Sequence, residues 1–198
     1  MASRRKSPMV LLVIVLVLLA GAAALLLRAQ PLTLDRIIAR QDYTIAAQEE
    51  VYITLALSRE QIPQGFPEES SASDASGELE LLLYQDGDTG LYLTAFAQSG
   101  GNSGILNAVI EPRHALSREG GRLLLPYRVN DDGTVTVGLS VDGETVQADG
   151  EPRPEAVSLV SQTSTGRFDL YVDRALFLRS DEITFQIGPF YKLTYEPA

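Results

Sequence analysis

The sequence predicts an all-β domain, an antiparallel β-sandwich with a β-barrel as the alternative closure, carried behind an N-terminal transmembrane helix. Three observations predict it. An unbroken apolar run near the start gives way to polar, acidic sequence; beyond Glu50 the apolar residues recur at every second position; and Gly, Asp, Asn, Pro and Ser collect between these runs at intervals of roughly 8 to 15 residues, the rhythm of a sandwich.

Residues 1–8 form a basic tail with Arg4, Arg5 and Lys6, and residues 9–27, "MVLLVIVLVLLAGAAALLL", hold no charge. As a helix those residues would cover roughly 28 Å, close to the hydrocarbon thickness of a bilayer. The alternative is a secretory signal cut near the small residues at Ala20–Ala24, leaving a secreted protein, but the run resumes at Leu25 and exceeds a normal signal core. The tight basic cluster ahead of the run places that end in the cytoplasm and the bulk of the chain outside. Residues 28–48 read as a juxtamembrane stalk with a short helix over 33–41, since Thr33 can cap it and Leu34, Ile37 and Ile38 share a face; that helix either serves as the stalk or docks on the domain.

The expected outer domain runs over residues 49–198. Alternation starts with Val51, Ile53, Leu55 and Leu57 and returns with Leu91, Leu93, Ala95 and Ala97, then with Leu123, Leu125, Tyr127 and Val129. It is cleanest in Val135, Val137, Leu139 and Val141, and continues through Phe168, Leu170 and Val172, through Ile183, Phe185 and Ile187, and through Tyr191, Leu193 and Tyr195. No βαβ pattern and no internal repeat interrupts it. Residues 58–77, rich in Ser, Pro and Glu, read as a flexible loop in which Ser58 and Gln61 have capping-box spacing.

Composition narrows the chemistry. All 26 acidic residues lie beyond Pro31, against 12 of the 16 Lys and Arg, leaving that part near −14. Such a field disfavours nucleic acid, whose affinity rests on neutralised phosphates. There is no cysteine, hence no disulfide, thiolate metal site or Cys nucleophile, which fits a bacterial envelope protein better than a stapled animal ectodomain.

The stretch "YQDGDTG" at residues 84–90 is the nearest thing to a metal motif. Placing Asp86 and Asp88 at the first and third positions of a calcium loop puts Leu91 where glycine is required and Ala97 where the closing carboxylate belongs. Asp-Gly occurs at 86–87, 132–133, 142–143 and 149–150, so these read as hairpin turns, with Asp86 and Asp88 kept only as a weak calcium candidate. His114, the single histidine, reads as a surface residue in a turn, and no nucleophile motif accompanies it. Adjacent carboxylates such as Asp131-Asp132 point to opposite strand faces, and "SGGNSG" at 99–104 lacks the Lys-Ser/Thr ending of a phosphate loop.

What remains is contact chemistry, with no catalytic residue and no cofactor to name. Ile62 and Phe66 form a candidate lid or partner-binding tooth, and Tyr92, Phe96 and Tyr171, out of phase with their aliphatic neighbours, a candidate patch unless a second sheet covers them. The expected role is non-catalytic binding or assembly with another envelope protein through loops or an exposed edge strand, the membrane being met through residues 9–27. A ligand- or cation-binding sensor and an envelope hydrolase are the alternatives, and the oligomeric state is left open.

Overall fold

The computed structural model describes residues 31–62, 79–99 and 102–198. The run at 9–27 and Phe66 lie outside the described residues, and among those described no helix is long and apolar enough to cross a membrane. Residues 34–198 form one compact unit.

Alternating side chains build two five-stranded antiparallel sheets. In one, β1 (Tyr43–Ser58) pairs along its length with β12 (Glu182–Pro197), whose other edge takes β8 (Ser140–Ala148) and then β5 (Gly121–Leu125); β9 (Glu151–Pro152) closes that side. The other sheet runs β10 (Val157–Gln162), β11 (Phe168–Asp173), β4 (Asn102–His114), β3 (Thr89–Ser99) and β2 (Leu81–Asp86). A separate ribbon pairs β6 (Tyr127–Val129) with β7 (Val135–Val137). Inward residues of both large sheets, among them Leu55, Leu57, Leu91, Ile110, Phe168 and Phe185, share one buried cluster, so the architecture is sandwich-like.

The phase of the alternation changes where the ladder carries an extra residue. Leu93 faces Ile110 and Ala95 faces Val109, so Thr94 is a bulge on β3 and the inward set switches from Leu91 and Leu93 to Phe96. Phe96 therefore packs edge-on against Phe177 in the core, with ring centroids 5.0 Å apart. On β12 the residues Gly188 and Pro189 together oppose Tyr52, and beyond them Leu193 and Tyr195 share a register face with Leu123 of β5 and Ile45 of β1.

That second face is buried too. Leu123, Leu124 and Leu125 are all within 1% of full burial, yet only Leu124 belongs to the main cluster. The other face carries its own buried group, including Tyr127, Val129, Leu193 and Tyr195. Helix α1 (Leu34–Ile38) belongs with it: Ile37 and Ile38 are buried, and Gly133 in the β6–β7 turn lies against the main chain of Ile38 and Ala39. Burial, with Asp35 of α1 nearby, pushes the Tyr127 phenol up to about 12. Of the two readings for this helix, stalk or docked, the structure gives the docked one, and the first described strand begins at Tyr43, ahead of the expected boundary at residue 49. Two adjacent buried isoleucines leave α1 no reason to stand apart from a strand that is apolar on both faces.

The turns behave less uniformly than four Asp-Gly pairs suggest. Asp149-Gly150 makes the expected two-residue hairpin, both residues having positive φ, 50° and 82°. At the β2–β3 hairpin Asp86 pairs with Thr89, so the turn is Gly87-Asp88, with positive φ only at the glycine. Asp142-Gly143 is no hairpin. It lies inside β8, where residues 143–146 bulge opposite Phe185, and the Thr145 hydroxyl accepts the Gln186 N–H at 2.9 Å in place of a main-chain partner. The run through Val135 and Val141 is likewise broken, at Gly138 and Leu139, between two sheets.

Candidate functional site

Several sequence candidates are consumed by structure. Asp86 pairs with Lys192 at 2.8 Å, and Asp88 accepts the Arg122 N–H at 2.9 Å while its own N–H donates to the Arg122 carbonyl at 2.9 Å. The two carboxylates thus have different partners, Asp86 tying the hairpin tip to β12 and Asp88 tying it to β5. Among the described residues no group of three or more His, Asp or Glu is arranged to hold a metal ion.

His114 is corrected from a surface turn to the last residue of β4, largely buried beside Thr89. Its Nδ1 lies 2.8 Å from the Thr89 Oγ1, which also accepts the Leu124 N–H at 3.0 Å. The Thr89 hydroxyl, one donor with two acceptor lone pairs, thereby links His114 to the main chain of β5. Burial lowers the His114 pKa from 6.5 to about 4. The pair is a buried brace between β3, β4 and β5, and it presents no accessible nucleophile.

The proposed contact residues do not form one patch. Ile62 follows a single 3₁₀ turn at Arg59–Gln61 and is buried in the core cluster, so it is no exposed tooth; Ser58 makes no side-chain cap there. Phe96 is inward because of the Thr94 bulge. Tyr92 is half-buried under the Arg113 guanidinium, 4.8 Å from its ring centroid, and Arg113 is tied to Glu80 at 2.8 Å. Among the described members of the group only Tyr171 is exposed, and it pairs with Asn107 while Tyr92 pairs with Glu111. Four residues along β4 and two strand spacings across it separate them by roughly 16 Å.

The strand edges are also poor docking sites. Ala46 bulges from β1, Leu83 from β2 and Val160 from β10, while β9 has two residues and ends in Pro152. Bulges, short strands and proline are the devices by which sheets discourage edge-to-edge pairing.

A concave feature is formed among the described residues. Between the end of α1, the β1 segment 45–48 and the β6–β7 turn lies a cleft of about 430 Å³, lined by Arg40, Ala46, Gln48, Arg128 and Asp131 among others. Its walls are held by polar contacts between distant segments. The Gln48 amide donates to the Val129 carbonyl at 3.3 Å and accepts the Val129 N–H at 2.9 Å, occupying both main-chain groups as a neighbouring strand would. Arg40, at φ 53°, reaches Asp131 at 2.9 Å across the mouth. Arg128 makes no ion pair with another described residue; its field draws the Tyr191 phenol partly back from the upward push of burial and of Glu50. No sequence motif marks these residues, because the chain brings them together only through the β1–β12 and β5–β6 topology.

The fold and cleft together define a two-sheet, antiparallel β domain with a polar groove at the α1 end. Comparison with known protein families, with curated proteins and with solved structures found no match.

Proposed function

We propose that residues 34–198 are the outer, non-catalytic protein-binding domain of a single-pass membrane protein of a bacterial envelope, anchored by residues 9–27, and that a partner docks in the cleft beside α1. The apolar run and the basic tail ahead of it support the anchor, and the absence of cysteine with the strongly acidic outer portion suits an extracytoplasmic surface. The observation that carries the reading is the cleft itself. Its walls offer main chain and arginine side chains, in a sandwich whose sheet edges are bulged or cut short. Extended segments bind such walls through main-chain hydrogen bonds and gain selectivity from flanking side chains.

Affinity capture with the detergent-solubilised full chain tests this, comparing the native sequence with Ala47→Trp, which fills the cleft with a neutral ring. A partner held by the native chain and lost from the variant, at unchanged circular dichroism, is the expected result. A partner retained by the variant, or none held by either, overturns it. A reporter fused after Ala198 that works only in the cytoplasm would overturn the orientation separately.

A further inference from the structure

We infer that the segment this cleft receives is acidic: an extended stretch of a partner whose carboxylate is taken between Arg128 and Arg40 while its main chain lies along the bulge of β1. The inference rests on the docking reading above and adds the chemistry of the occupant.

The wall geometry argues for an extended chain. Ala46 is the residue inserted between the Ile45–Tyr195 and Ala47–Thr194 pairs, so β1 bends locally and forms one wall of the cleft rather than a straight edge to which a strand could add. Opposite it, Val129 already accepts a strand-like partner in the Gln48 amide. The Gln48 amide and Val129 satisfy one another, so an entering segment is held chiefly by the side chains that line the cleft, Arg40 and Arg128 above all.

The charge argues for a carboxylate. Arg128 and Arg40 both line the cleft, and Asp131 is the one carboxylate among its lining residues. Asp131 engages a single nitrogen of Arg40, Nη2, and both side chains are exposed, 39% for the arginine and fully for the aspartate. An exposed pair of this kind contributes little, so an incoming carboxylate can share or displace it. A guanidinium presents five donors in a fixed fork that suits a carboxylate's two oxygens, and Arg128 brings a second fork not committed to an ion pair. A basic segment gains nothing comparable, since it would face two arginines and one aspartate. The domain's net negative charge repels acids at long range, so recognition depends on short-range fit in the cleft rather than on steering.

The test uses the full chain in detergent and two fluorescein-labelled peptides, Gly-Asp-Glu-Asp-Gly and its amide counterpart Gly-Asn-Gln-Asn-Gly, read by fluorescence anisotropy. The acidic peptide is expected to bind at least about tenfold more tightly than the amide one, the scale of one charge-assisted hydrogen bond. Arg128→Gln and Arg40→Gln each remove most of that preference, and Ala47→Trp removes binding of both peptides. Equal binding of both peptides, lost in Ala47→Trp, overturns the carboxylate assignment and leaves cleft docking standing. Acidic binding that survives both Arg→Gln variants overturns it as well. If neither peptide binds while captured partner is still lost from Ala47→Trp, the acidic assignment fails alone; if captured partner is also retained by Ala47→Trp, both readings fail.

Discussion

His114 is the residue whose burial has the clearest consequence for solution behaviour. Below pH 6.5 the unfolded chain takes up a proton that the folded chain refuses until about pH 4, so stability is highest above 6.5 and falls as pH drops through that window. The loss amounts to at most about 3 kcal/mol, less whatever solvent reaches the ring. Urea unfolding at pH 7 and pH 5 should show it, and His114→Gln should flatten the slope between those values. Tyr195 is the second such residue: its hydroxyl accepts the Ser117 N–H and donates to the Ser117 carbonyl, both at 2.9 Å, pinning the loop ahead of β5. Tyr195→Phe strands both groups and should cost about 1–3 kcal/mol, with faster hydrogen exchange at the Ser117 amide. Sequence showed that His114 lacked a nucleophile, but not that it was buried. Nothing local announces that Thr89, twenty-five positions away, supplies its partner.

Strands were legible as elements wherever alternation was uninterrupted, as in Leu55 and Leu57 or Ile183 and Phe185. Bulges were not, and each reverses every side chain beyond it. Phe96 looked outward by counting from Leu93, and one inserted residue, Thr94, turned it inward. Deleting Thr94 should therefore expose Phe96 and destabilise the domain by about 3–5 kcal/mol, the cost of emptying a buried phenylalanine site, whereas Thr94→Ala should be nearly silent; thermal melts of the two variants decide it. The same counting misread the cleanest alternation of all, because Val135 and Val137 belong to the ribbon while Val141 belongs to the main sheet. For helix α1 the sequence left two readings, stalk or docked helix, because the apolar surface it covers comes from strands far along the chain. Ile37→Ala should cost about 2–5 kcal/mol, a loss that a free-standing stalk would not register.

At the scale of the molecule, composition and period sufficed for an antiparallel β domain, since apolar faces of alternating strands have to be buried against one another. The cleft was illegible because its lining joins residues 40–48 to 128–131, and no pattern within either segment refers to the other. The topology that makes the cleft also orders events in time. Among the described strands β1 pairs only with β12, Ser58 meeting Glu182 at one end and Tyr43 meeting Pro197 at the other, so β1 waits for a strand made well over a hundred residues later. Closing so long a loop is slow and gives no return until the far end arrives. A nascent chain released after residue 181 should hence stay protease-sensitive with all the intervening strands in place. Quality control that senses unpaired β1 would read, in effect, whether β12 had emerged and docked.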